Sequence, residues 1–249
     1  MSLRGHVAFI SGAGRNIGRA IALELAAEGA DVVLNTRRSK EEIERVAAEV
    51  RELGVRALPL LGDVGLSSDI EILAERALAE FGKVDILVNN AAIRPEKPFL
   101  ELTENDWRSV LAVDMDAAFY TCQAFLPGMI AQKWGRIINL GGVHAMHGHP
   151  HRVHVSAAKN GVWGLTKSIA LEFAAQGVTA NVVAPGVIDT QRDDPNRQQR
   201  FESVAAKIPV GRMGTVEEIA SICGYLASDR AAFLTGQIIG VNGGQDTSP

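Results

Sequence analysis

Cysteine is scarce in this chain: Cys122 and Cys223 are the full complement of 249 residues. Two cysteines so far apart build no disulfide framework. A basic face is also missing, since the net charge is -4 and the pI near 5.9, which argues against a nucleic-acid partner. No cluster of lysine and arginine suggests a membrane-surface helix. No apolar run reaches membrane-spanning length, and the opening segment lacks the form of a signal peptide. The expectation is a cytoplasmic protein acting on a small molecule. Tyrosine is as rare as cysteine, with only Tyr120 and Tyr225. What the chain does have is 47% hydrophobic and 22% charged residues, enough to bury a sizeable core and too apolar for a disordered protein.

Short apolar runs alternate with helical periodicity along the whole chain. Strands are expected at 7–10, 32–35, 56–60, 86–89, 136–140, 179–183 and 237–241, with helices between them. Continuous apolar strands joined by helical crossovers predict a doubly wound parallel sheet of seven strands with helices on both faces, as one domain over residues 1–249. Ser39 with Glu42, and Thr215 with Glu218, have the spacing of reciprocal helix caps. The stretch at 187–209 breaks the alternation and reads as a substrate loop or lid.

Between the first strand and the first helix stands Ser11-Gly12-Ala13-Gly14-Arg15-Asn16-Ile17-Gly18. Glycines here let the backbone approach a pyrophosphate, which the amides of the following helix stabilise. The spacing departs from G-x-G-x-x-G, because Ile17 holds the third glycine position and Gly18 follows it. Further on come Asp63-Val64, Asn89-Asn90-Ala91-Ala92, Lys159, Pro185-Gly186-Val187-Ile188-Asp189-Thr190 and Val241-Asn242-Gly243-Gly244. Together these segments resemble the classical short-chain dehydrogenase/reductase family over essentially the whole chain, with 3-oxoacyl-carrier-protein reductases as the nearest general likeness.

That resemblance implies a Rossmann-like fold, a nicotinamide cofactor and a homotetramer. Asp63 would contact adenine, Asn89 to Ala91 would line the cofactor, and Thr190 would engage the carboxamide. Gly12, Gly14, Arg15, Asn16, Ile17 and Gly18 would form the phosphate loop, with Val64, Pro185, Gly186 and Ile188 beside the cofactor. Ala92 and Asn16 stand where the family has glycine. At the end of the second strand an NAD-selective protein places an acid, whereas this chain has Thr36 followed by Arg37 and Arg38. NADP(H) is therefore the expected cofactor, with NAD(H) as the alternative.

The family's catalytic set is an asparagine, a serine, a tyrosine and a lysine. Lys159 matches the lysine and would also hold the nicotinamide ribose. The other three positions carry Asp114, which would pair with Lys159 as part of the catalytic set, Gly142 and Val155. Valine and glycine side chains cannot move protons. In their place five of the six histidines crowd into residues 144–154. By the family's pattern His144, His149 and Arg152 face the substrate, so His144 and His149 are the expected proton carriers, histidine having a pKa near neutrality. Solvated surface histidine is the competing reading. His151 qualifies if the helix starts that early, and His154 should point elsewhere. His147, His149 and His151 alternate as metal ligands in an extended loop would, but no carboxylate or cysteine completes a set, so no metal is expected. Arg94, Arg152 and Arg192 suggest an anionic substrate, in a cleft that Gly142 and Val155 would also border. The favoured function is an oxidoreductase on a polar, anionic carbonyl or alcohol; a non-redox enzyme or a catalytically silent cofactor-binding protein is the alternative.

Overall fold

A computed structural model of the chain describes residues 3–143, 147–190 and 203–247. Seven strands form one parallel sheet: β1 (Val7–Ile10), β2 (Asp31–Thr36), β3 (Ala57–Leu61), β4 (Ile86–Asn89), β5 (Gly135–Leu140), β6 (Val178–Pro185) and β7 (Ile238–Val241). Their spatial order is β3-β2-β1-β4-β5-β6-β7. All seven expected strands are present, with ends moved by one or two residues. Central strands such as β1 and β5 are buried at every position, as expected where helices cover both faces.

Seven α-helices are described: α1 (Asn16–Ala27), α2 (Lys40–Glu52), α3 (Ser67–Phe81), α4 (Glu104–Leu111), α5 (Ala117–Ala131), α6 (Val153–Phe173) and α7 (Val216–Ala227). In α2 the apolar Ile43, Val46, Ala47 and Val50 recur at helical spacing, and all four are buried, so the helix docks through one stripe. One core lies on the side of α1, α2 and α7; the other lies under α3, α5 and α6.

Two cap expectations separate in the structure. Thr215 and Glu218 form the full reciprocal cap of α7. At α2 only half of it forms, Ser39 accepting the Glu42 amide without a return bond from the carboxylate. Helix α6 begins at Val153, so His151 stays outside it, in a left-handed conformation (φ 65°).

Strand order reverses on either side of β1, and doubly wound sheets bind ligands at the carboxyl ends of the strands beside that switch. Three features converge there: the glycine loop after β1, the segment after β4, and a π-helical turn, Ala112–Asp116, set between α4 and α5. Such turns often mark functional sites. The base of the expected lid is pinned, with Ile188 bridging Gly214 and Asp189 N–H donating to Gly214 O at 2.8 Å; residues 191–202 of that loop lie outside the described residues.

Candidate active site

The glycine loop is built for close approach. Gly12 has φ 65°, and a Cβ there would stand 3.0 Å from Ala91 Cα, while a Cβ on Gly18 would stand 2.2 Å from Gly12 O. Neither position tolerates a side chain without movement of backbone. Asn16 takes φ 49°, a left-handed conformation that asparagine adopts more readily than other side-chain-bearing residues, so the loop keeps its turn where the family has glycine. Ser11 Oγ accepts from Asn90 N–H and Ala91 N–H, both at 3.0 Å, and Asn90 Nδ2 donates back to Ser11 O at 2.9 Å and Gly12 O at 3.0 Å. Ala13 N–H donates to Asn35 O at 2.8 Å. The loop is thus tied to β4 and β2 at once, with the first amides of α1 at its mouth. This cradle fits a dinucleotide pyrophosphate.

Other expected cofactor residues ring the same edge. Val64 is buried. Asp63 receives the Gly65 amide at 3.0 Å and faces Arg37 Nη1 at 3.7 Å, so the guanidinium expected at a 2'-phosphate is turned toward Asp63. Arg15 is exposed at the start of α1, and Thr36 closes β2. Asn89 differs from expectation in its partners: its side chain accepts from Thr121 Oγ1 and donates to Asn139 Oδ1, both at 2.8 Å. It holds β4, β5 and α5 together beneath the site. Pro185 pairs with Val241, and Gly186 packs where a Cβ would come within 2.6 Å of Gln245 Oε1. Ile188 and Thr190 are half-buried.

Lys159 and Asp114 meet inside a small cleft that Ser11, Asn89, Ala91 and Leu140 also wall. Lys159 Nζ donates to Leu140 O at 2.9 Å and lies 3.6 Å from Asp114 Oδ2. Asp114 Oδ1 accepts the Ile93 amide at 2.7 Å. Both side chains are nearly inaccessible to solvent. Burial holds the Asp114 carboxyl above the usual carboxylate range, and Lys159, the Ile93 amide and Arg94 oppose it. Burial likewise holds the Lys159 ammonium below its usual value, with Asp114 opposing and Arg94 reinforcing. The two groups therefore approach each other in proton affinity.

Gly142 and Val155 are not among the residues that wall this cleft. Val155 instead packs with Val110 and Ala158, against Ile93, Leu111 and Met115. A Cβ on Gly142 would meet nothing within 4 Å.

The histidines disperse. His144 lies outside the described residues, as does Arg192. His147 Nε2 pairs with Asp246 Oδ2 at 2.8 Å, and His149 Nδ1 lies 2.7 Å from Pro150 O. His151 is exposed. His154 is fully buried at the start of α6 with no hydrogen bond to either ring nitrogen among the described residues, and burial lowers its pKa, with Asp106 and Asp114 opposing. Among the described residues no three metal-ligating side chains gather, and no helix is long and apolar enough to cross a membrane. Arg152 is turned to Glu96, whereas Arg94 acts electrostatically on both Asp114 and Lys159.

Comparison with known proteins decides the family. Residues 12–246 match the family model described as enoyl-(acyl carrier protein) reductase. The chain is 39% identical to the 3-oxoacyl-[acyl-carrier-protein] reductase FabG of Pseudomonas aeruginosa and 37% identical to that of Escherichia coli K12, each over 98% of both chains. It is 38% identical to FabG of Staphylococcus aureus Mu50 over 95% of this chain and 96% of the relative. A solved structure assigned as a short-chain alcohol dehydrogenase of Sinorhizobium meliloti superposes with a TM-score of 0.92 at 32% identity, over 98% of this chain and 97% of that one. The chain belongs to the short-chain dehydrogenase/reductase family.

Within that family of oxidoreductases, several working residues here escape a reading of motifs. Glu96 pairs with Arg152, Asp246 holds His147, and Glu42 reaches the glycine loop. Each joins segments distant in sequence, and no local spacing announces such a contact.

Proposed function

We propose that this chain is an oxidoreductase of a polar, anionic carbonyl or alcohol, using NADP(H) in preference to NAD(H), with an active site that departs from the family's. The observation that carries this reading is the intact glycine cradle opening beside the buried Lys159 and Asp114 pair. Arg15 and Arg37 flank the edge where a 2'-phosphate would lie, and β2 ends on Thr36 rather than an acid. When bound, the nicotinamide supplies or accepts a hydride. In carbonyl reduction the chain must deliver a proton to the substrate oxygen, and in alcohol oxidation it must take that proton up.

Two sources are available to it. His144 is the first candidate by its place in the family's pattern, with His149 second. Lys159 acting through water, buried beside Asp114, is the other. Arg94 provides the positive charge that favours an anionic substrate. Fluorescence titration should give a lower Kd for NADPH than for NADH, and equal values would contradict the preference. Replacing His144 and His149 separately by Gln should lower kcat while leaving NADPH affinity unchanged. If neither variant loses activity and Lys159→Met does, the histidines are excluded as proton carriers.

The apolar packing of Val155 favours one rival reading, a non-redox or silent protein that retains the cofactor site. Broad substrate screening by nicotinamide absorbance separates it from the oxidoreductase. We also propose a homotetramer. Phe119 on α5 and Leu171 on α6 are exposed, and Phe233 is fully exposed just before β7. Apolar side chains in these places suit two contact faces.

A further inference from the structure

Glu42 is the third residue of α2, where a glutamate ordinarily bonds back to the cap amide. The equivalent acids of α4 and α7, Asp106 and Glu218, do so. In α2 Ser39 Oγ accepts Glu42 N–H at 3.4 Å, but the carboxylate makes no return bond. It crosses instead to the glycine loop. Glu42 Oε2 lies 3.4 Å from the point where a Cβ on Gly14 would stand, and Thr36 Oγ1 lies 3.6 Å from the same point. Glu42 is half-buried, and among the described residues no ion pair or hydrogen bond takes up its carboxylate. Arg37 is engaged with Asp63.

In a doubly wound dinucleotide site the glycine loop receives the pyrophosphate, and an acid at the end of the second strand receives the ribose 2'-hydroxyl. Thr36 occupies that strand end without a charge. The carboxylate reaches the same point from α2, through space that the missing side chain of Gly14 leaves open. We propose that Glu42 is a determinant of cofactor specificity, its carboxylate accepting hydrogen bonds from the adenosine ribose hydroxyls of NAD(H) and repelling the 2'-phosphate of NADP(H). The inference rests on the dinucleotide reading of the site. It makes Glu42 a counterweight to Arg15 and Arg37 that keeps NAD(H) usable.

Calorimetric titration of the full chain and of Glu42→Gln tests this, using NADPH, NADH, adenosine 2',5'-bisphosphate and 5'-AMP. Glutamine keeps the size and the helix propensity of glutamate, and circular dichroism checks the fold. Glu42→Gln should tighten NADPH and the bisphosphate by about tenfold, the scale of removing one like charge beside a phosphate. NADH and 5'-AMP should be unchanged or weakened a few-fold. A variant that shifts the 2'-phosphorylated ligands and those with a free 2'-hydroxyl equally, or shifts neither, overturns the assignment to Glu42 while the dinucleotide site stands. Absence of binding by all four ligands to both proteins overturns the dinucleotide reading itself, and the inference with it.

Discussion

The Gly142→Ser, Val155→Tyr double variant separates the oxidoreductase from its silent rival: in a silent protein it should raise carbonyl reduction about 10² to 10⁴ times, the usual contribution of a positioned general acid, whereas a chain with its own proton source should gain little. Serine fits at Gly142 because the space around an added Cβ is open to 4 Å. Position 155 lies one helical turn before Lys159, so a tyrosine there shares its face of α6. Lys159 is already held by Leu140 O, in place to bear on a phenol. Val155 is only 7% exposed and packs against Ile93 and Met115, so the larger ring should cost about 1–3 kcal/mol of stability. The measurement is NADPH oxidation with a panel of carbonyl substrates, alongside NADPH Kd and thermal unfolding. A variant that folds and binds NADPH without gaining rate would show that a proton donor is not the missing element.

Lys159→Met and Asp114→Asn should each destabilise the fold, Lys159→Met the more because it leaves a buried carboxylate without its counter-charge. Removing one member of a buried pair typically costs about 3–5 kcal/mol. The double variant should lose less than the sum of the singles, because neither charge is then stranded. The pH dependence follows from the direction of the Asp114 shift. Its carboxyl is held above the usual carboxylate range by burial, and Lys159 opposes that shift. Without Lys159 the folded-state pKa rises further. An acid whose folded pKa exceeds its unfolded one contributes stability that is complete below the unfolded pKa and lost as pH rises through the folded pKa. The deficit of Lys159→Met against the unaltered chain should therefore shrink as pH falls from 8 toward about 4. Urea midpoints across that range provide the check. A single-variant loss under about 1 kcal/mol, the range of solvated pairs, would mean that the two charges are not buried in solution.

The alternation of apolar runs with helical periods determined the sheet, its seven strands and the covering of both faces. These follow from local patterns, since a strand buried on both sides must be apolar throughout, and a docked helix must carry one stripe. The glycine loop was legible for the same reason: Gly12 is required by its own left-handed backbone and Gly18 by the nearby carbonyl of Gly12, and Asn16 is one of the few substitutes that enters a left-handed turn. Lys159 was placed by the resemblance of its surroundings.

Side-chain partners across the fold were decided by tertiary structure. Glu42 has the spacing of a helix cap from Ser39, yet its carboxylate lies beside Gly14 and Thr36 because folding brings α2 against the glycine loop. Arg152 and Arg37 are arginines in the expected places whose charges are already matched by Glu96 and Asp63. Asp114 lies beside Lys159 as expected from its position, but its raised pKa depends on burial between the π-helical turn and α6. Periodicity specifies which face of an element is buried. It does not specify which charge from a distant segment will meet that face, because such pairs form only after the layers have packed.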